Sequence, residues 1–338
     1  MMPAMACRSL VGLTLAVALA GGCTSASPSP QASAPAASIP RLADGRPNMN
    51  GVWSFATLTP VERSPEFGDK ATLTEAEAEA FEKRTLEVQN RDRRDGDGPG
   101  GRGSDGRTDL DRAYNQAWWD YGTKVVGTRQ TSLVVDPPNG RIPEMTEDAK
   151  RRAAQRAVLR TRSAEGPEDR TLSERCLNVG TAGPPMLPGP YNNNVQLVQG
   201  TTHVAIHNEM IHDTRLVPVD AGQPLPAAMR QWLGDSRGRW EGDTFVVETA
   251  NFTAHTAFRG SSDQLHLVER FTMAAADALV YEFTVSDPST WSRPWRVVLP
   301  MTRSAEPIYE YACHEGNYGL TAILAGARAA DRDAKKTP

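Results

Sequence analysis

The chain is short of several things that mark common classes of protein. Its 338 residues include only four cysteines, aromatic side chains make up 7%, and 37 Lys+Arg against 41 Asp+Glu leave a formal charge of −4. Nucleic-acid binders carry a basic surplus or stripe, so this balance argues against a nucleic-acid partner. Beyond the N-terminus there is no run of about 20 apolar residues, which excludes a protein with several membrane-spanning helices. No phosphate-cradling loop or dinucleotide fingerprint occurs, and no nucleotide or nicotinamide cofactor is expected. No internal repeat is evident. Glycine and proline are plentiful, at 28 and 25, a composition of many turns and short elements. The 39% of apolar residues is enough to build a packed core.

Arg8 stands before an apolar stretch over residues 10–20, followed by Gly21, Gly22 and Cys23. The stretch is too short to span a membrane and has the layout of an export signal. The small residues running into Cys23 resemble a bacterial lipobox, which implies lipidation of Cys23 as the first mature residue; the alternative is an ordinary secretory signal cut near Ala26. Thr24 favours an outer-membrane destination facing the periplasm, with a lipid anchor as the only membrane contact. Residues 1–22 thus read as signal and 23–40, nearly all Ser, Ala, Pro, Thr and Gln, as a tether. Cys176 and Cys313 then remain, an even pair that in an exported protein forms a disulfide or else two separate buried thiols.

Two further regions and a tail follow. Residues 41–192 read as rich in helix and loop. Thr74 and Glu77 make a capping box for a helix running to about Arg91, with Ala76, Ala80 and Phe81 on its buried side. Residues 92–109 are charged, Gly-rich and read as mobile. A strand over 130–135 ends at the Asp136–Gly140 turn, Thr146 caps a basic helix to about Arg162, and residues 183–191, with four prolines, read as extended coil. From 193 to 328 apolar and polar residues alternate. Strands are expected at 195–199, 203–210, 213–217, 239–241, 244–249, 265–272, 279–286, 295–301 and 308–311. The fold class expected is mainly β, an antiparallel meander forming a barrel or sandwich. Residues 329–338 read as a polar tail.

Polarity within these strands points to chemistry. Alternation puts Glu269 on one face with Leu265, Leu267 and Phe271, and a carboxylate there must be paired, hydrogen-bonded or protonated. His207 and Glu209 share a face opposite Ile206, Asn208 and Met210, and Arg296 alternates with Trp295 and Val297. An interior gathering these groups would suit general acid–base chemistry on a small organic substrate, of hydrolase, lyase or isomerase type. The candidates are Glu209, His212 and Glu269 as acid or base, Asp213 to orient His212, and His314 with Glu315 as a second pair. Arg215 or Arg296 would hold an anionic group. The plainer alternative is a structural salt bridge such as Glu269 with Arg296.

Trp119 and Trp295, within aromatic clusters that include Tyr114, Trp118, Tyr121, Trp291, Tyr309, Tyr311 and Tyr318, would floor a site for sugars or flat ligands. Tyr191, Asn193 and Asn194 would stand at its mouth. A divalent metal on His212, His314 and Glu315 is the rival to a site without cofactor. His203 and His207 are too far apart on a strand to share an ion. One calcium-type glycine repeat at 100–105 cannot build a site alone, and Gly234-Asp235-Ser236 reads as a turn before a hairpin.

Three runs, GPPMLPGPYNNN at 183–194, GDSRGRWEGD at 234–243 and YEYACHEGNY at 309–318, resemble a group of exported bacterial proteins with no assigned activity. That resemblance brings no catalytic residue with it. Gly51-Val52-Trp53 resembles the start of lipocalin-like β-barrels, which implies a binding lipoprotein for a hydrophobic or glycan ligand as the alternative to an enzyme.

Overall fold

Alternate side chains of an extended backbone point to opposite faces, and in this chain the alternating second half becomes strand. A computed structural model describes residues 38–92, 115–220, 222–256 and 258–336. The expected signal, Cys23, most of the expected tether, all but the first residue of the 92–109 segment with its 100–105 run, and Tyr114 lie outside those residues.

Two short strands, β1 (Gly51–Ser54) and β2 (Val134–Asp136), come from the first half. The second half supplies β3 (Asn194–Gln199), β4 (His203–Asn208), β5 (Thr214–Pro218), β6 (Asp235–Glu241), β7 (Thr244–Ala250), β8 (His266–Ala275), β9 (Ala278–Ser286) and β10 (Trp295–Ser304). Every ladder is antiparallel. The strands form one ten-stranded sheet in the order β5-β4-β3-β1-β10-β9-β8-β7-β6, with β2 added on β10. The mainly β, antiparallel class is therefore the one expected.

Two meanders, β3–β5 and β6–β10, are joined by β1, whose Trp53 sits opposite Val195 on one side and Arg303 on the other. Gly51 has φ +132 and takes the Arg303 guanidinium where a side chain would lie, a place open only to glycine. The sheet curls but does not close. Beyond β5 and within β6, its two edges meet at the single bridge Val219–Gly238, with the Asp220 amide donating to the Gly238 carbonyl at 2.9 Å.

The concave face is filled rather than hollow. Trp53, Phe245, Phe271, Tyr281, Phe283, Trp295 and Leu299 are all essentially without solvent exposure, each such burial stabilising by roughly 1.5–3 kcal/mol. Among the described residues three α-helices lie outside the sheet: α1 (Glu75–Gln89), α2 (Glu147–Thr161) and α3 (Tyr318–Ala334). Both expected N-caps form. The Thr74 hydroxyl accepts from the Glu77 amide while Glu77 bonds back, and Thr146 accepts from Ala149. No helix among the described residues is long and apolar enough to cross a membrane.

Several local expectations are corrected. In α1 the buried residues are Ala78, Phe81 and Glu82, not Ala76 and Ala80, because Glu82 turns inward to accept from Lys124 Nζ and the Val125 amide. Residues 308–311 form no strand, since the Tyr309 amide bonds to Glu209 instead of to a ladder. Helix α3 crosses residue 328 and takes up most of the expected tail. The end of the tether is not free either, as Ile39 packs against the core. Cys176 and Cys313 are bonded, with Cα atoms 5.8 Å apart.

Candidate functional site

Glu269 obeys the alternation of β8 and points into the core, with no exposure. Its partner is Arg215 of β5, reaching across the open seam. Nη1 donates to Oε2 at 2.5 Å and Nη2 to Oε1 at 2.9 Å. The Tyr281 hydroxyl of β9 adds a third bond to Oε1 at 2.8 Å and accepts from the Met186 amide at 3.1 Å. Arg215 Nη1 also lies 3.3 Å from Ser236 Oγ and Thr249 Oγ1, which bond each other at 2.8 Å. Burial opposes the charge on Arg215, but Glu269 outweighs it and raises the guanidinium pKa. Burial first, then the charge of Glu269, pushes Tyr281 well above the usual phenol range, so it remains a neutral donor. This clasp ties the edge strand β5 to β6, β7, β8 and β9, and every polar group in it except one edge of Arg215 is occupied.

The chain around the β4–β5 connection departs from regular strand. After Asn208 it makes a tight turn in which Ile211 (φ 66) and His212 (φ 56) both adopt left-handed backbone. For a β-branched residue that conformation is strained, and such strain collects at functional positions. The turn swings Glu209 inward to 3% exposure. There Asn194 Nδ2 donates to its Oε2 at 2.7 Å and the Tyr309 amide to its Oε1 at 3.3 Å. The turn also sets His212 edge-on to His207, with ring centroids 4.5 Å apart. His207 Nδ1 lies 2.8 Å from Thr214 Oγ1. Burial and the neighbouring His212 lower the pKa of His207, which favours a neutral imidazole.

Beside this turn lies a small cleft with room for about one water molecule, about 10 Å³, walled by Asn178, Ala182, Gly183, Pro184, Asn208, Ile211, Asp213, Arg215 and Leu233. A neighbouring crevice shares Asn178, Gly183, Pro184 and Leu233 and continues to Trp232 and Phe258, with no room for a water molecule. The Cys176–Cys313 bond fixes the loop before this wall to the segment carrying Tyr309 and Tyr311. Trp119 stacks on Tyr121 at 5.4 Å and meets Tyr191 edge-on at 6.1 Å. Tyr191 in turn is hydrogen-bonded to Tyr311, and burial, with Tyr191 close by, pushes Tyr311 up to about 12.

The structure thus brings Glu209, His212, Asp213, Asn194 and Arg215 to one end of the sheet, Arg215 being bonded in turn to Glu269. Glu269 is sealed in its clasp. Arg296 is on the outer face, paired with Glu282 at 2.7 Å and not with Glu269, because the inward residues of β10 are Trp295 and Val297. Trp295 is a core residue against Phe258, Phe283 and Trp291. Asn193 is structural, bonded to the Gly189 amide and carbonyl and to the Asp120 carbonyl. His314 and Glu315 lie exposed in the turn before α3, and no group of three His, Cys, Asp or Glu among the described residues is arranged to hold a metal ion. Gly234, at φ 71, turns the chain into β6, and Ser236 belongs to the clasp.

Sequence reasoning did not single out Asn208, Ile211, Leu233 or the Gly183-Pro184 wall as site residues, nor Tyr281 as the partner of Glu269. The only signal for Tyr281 was its parity with Leu279 and Phe283. No protein-family model matches this chain, and neither does any curated protein or solved structure.

Proposed function

We propose that this is an exported, lipid-anchored protein that carries out cofactor-free acid–base chemistry on a small organic substrate at the His207–His212 pair of the β4–β5 turn. The observation that carries the reading is the pair of left-handed residues Ile211 and His212 in that turn: backbone strain is spent there on presenting one imidazole. His212 is the proton-transfer group, exposed on the turn with its ring edge-on to His207. His207, held by Thr214, backs it as a neutral ring, and Glu209, anchored by Asn194 and the Tyr309 amide, positions the turn. Glu269 has no part in the reaction, since its three hydrogen bonds leave it no route to a substrate. The lipobox-like run ending at Cys23 supports export, and so does the disulfide, which persists in oxidising compartments.

The test uses the mature chain with two readouts. Proton NMR in heavy water follows deuterium exchange at carbon in a panel of small hydroxy, amino and keto acids, and absorbance follows hydrolysis of p-nitrophenyl esters. A substrate of this site loses turnover by about 100-fold or more in His212→Ala, the usual worth of a positioned acid or base. Turnover unchanged in both His212→Ala and Glu209→Gln overturns the reading. A second reading rests on the aromatic run of Tyr121, Trp119, Tyr191 and Tyr311: a binding lipoprotein for a glycan or aromatic ligand, marked by saturable binding of such a ligand without chemical change.

A further inference from the structure

Helix α2 carries five Lys and Arg against two acids, in a chain whose formal charge is −4. Its cations fall into two sets. Lys150 pairs with Glu147 and Arg151 with Asp148, each about one turn away. Arg152, Arg156 and Arg160 instead form a row at a spacing of four, where like charges repel. The neighbours of Arg156 on the helix surface are Arg152, Ala153, Leu159 and Arg160, so the helix offers it no acceptor. Arg152 is tied to the body of the protein, donating to the Ser289 carbonyl at 3.2 Å and to Thr290 Oγ1 at 2.9 Å. That contact and buried Ala149 define the inward side of α2, and Arg156 lies one turn further along it. Arg156 is half-buried, yet among the described residues no hydrogen bond or ion pair reaches it.

The segment it meets is unusual too. The Ser261 amide donates to the Phe258 carbonyl at 2.8 Å and closes a tight turn. Its central residues, Arg259 (φ 44) and Gly260 (φ 78), both have left-handed backbone. Gly, Asn and Asp dominate at such positions, and an arginine is conformationally out of place there. A side chain added at Gly260 would lie 3.5 Å from Arg156 Nη1, so the Arg156 guanidinium rests against the tip of the turn. Arg259, one peptide away, also has no hydrogen bond or ion pair among the described residues. The carboxylate whose charge reaches it is Glu62, which is bonded through Oε1 to the Ile142 amide at 2.9 Å. Burial lowers the pKa of both guanidiniums, as it does for cations short of counter-charge.

Two adjacent cations without a partner, and Arg160 a turn away, call for an anion. A carboxylate brings one charge and two oxygens. A phosphate monoester brings about −1.5 to −2 of charge and three oxygens, which several guanidinium forks can share. We propose that Arg156 and Arg259, with Arg160 beside them, form a surface site for a phosphate group, free or carried on a larger molecule. Both side chains start from fixed backbone, a helix and a closed turn, and rotamer changes alone bring their ends to one phosphate. None of the three belongs to the β4–β5 turn, so this site stands or falls separately from the acid–base reading.

The test is calorimetric titration of the full mature chain with inorganic phosphate at fixed ionic strength, using Cys23→Ser so that no acyl chain intervenes. A second arm measures co-sedimentation with phosphatidylcholine vesicles, with and without phosphatidic acid, whose headgroup is a phosphate monoester. Saturable binding is expected in at least one arm. Arg156→Gln and Arg259→Gln should each weaken it about tenfold or more, the worth of one lost charge-assisted hydrogen bond. Neither side chain is bonded within the fold, so both variants should keep the parent melting temperature in phosphate-free buffer. Lys150→Gln, at a residue paired with Glu147, should keep full binding. Binding to phosphate alone marks a soluble ligand and binding to phosphatidic acid vesicles alone marks a headgroup; either upholds the site. No saturable binding in both arms, binding unchanged in both arginine variants, or a loss as large in Lys150→Gln overturns it.

Discussion

Glu269→Gln is the sharpest probe of how the molecule holds itself together. The substitution keeps the shape of the side chain and removes its charge, leaving Arg215 buried to about nine-tenths with only the Ser236 and Thr249 hydroxyls at 3.3 Å. Two ion-pair bonds of 2.5 and 2.9 Å become at best one bond to a neutral amide oxygen, and the Tyr281 hydroxyl competes for the same oxygen. Breaking a buried ion pair by removing one partner costs about 3–5 kcal/mol, and nothing in the clasp compensates, so that range is expected here. The control is the double variant Arg215→Met with Glu269→Leu. It removes both charges while Ser236 and Thr249 still bond each other at 2.8 Å and Tyr281 still accepts from Met186. Replacing a buried pair by apolar residues is often close to neutral, so the double variant should be clearly more stable than the single one. Urea unfolding followed by tryptophan fluorescence, with Trp53 and Trp295 as buried reporters, measures both. A single variant costing less than about 1 kcal/mol, or a double variant at least as unstable as the single, would refute the view that charge burial sets the energetics of this seam.

The acid limb of stability should depend on His207. Its folded pKa lies below the usual 6.5 because of burial and the adjacent His212. The unfolded chain therefore binds the proton more readily, and stability that is complete above 6.5 declines as the pH falls below it. His207→Gln should flatten that decline in urea-unfolding measurements, and identical slopes in the two proteins would contradict the assignment. Replacing Cys176 and Cys313 by alanine frees a loop of 137 residues and should cost up to about 5 kcal/mol in the chain-entropy account; thermal unfolding that does not change on reduction would show the bond to be idle. Gly238→Ala places a methyl group 2.5 Å from Phe245 Cζ and 3.0 Å from Val217 at the meeting of the sheet edges. Overpacking of this kind costs about 1–3 kcal/mol, read as a lower melting temperature, and a neutral result would mean the seam is looser than its contacts imply.

Local rules were enough for most of the elements. The alternation in residues 266–286 placed Leu267, Glu269 and Phe271 on one inward face, and Thr74 and Glu77 announced the start of α1, because both patterns act over a few residues of backbone geometry. They failed where a side chain or amide found a distant partner. Residues 308–311 have strand-forming composition, yet the Tyr309 amide bonds to Glu209. Helix α3 lacked a sequence-level cue strong enough to separate it from a polar tail, although Asn317 caps it through the Leu320 amide.

What this sequence settles by itself is therefore class and periodicity: a mainly β chain, a carboxylate facing inward on β8 and a pair of cysteines. Which groups meet was decided only by tertiary structure. Glu269 had two arginines within plausible reach, and the curl of the sheet carried Arg215 across the seam while β10 turned Arg296 outward. The cleft, too, arises only when the Gly183-Pro184 wall, separate in sequence, comes to rest against the strained turn at Ile211. The physical reason is that strand parity fixes the face a side chain occupies but not the strand it will face, and that depends on how ten strands order and bend around one core.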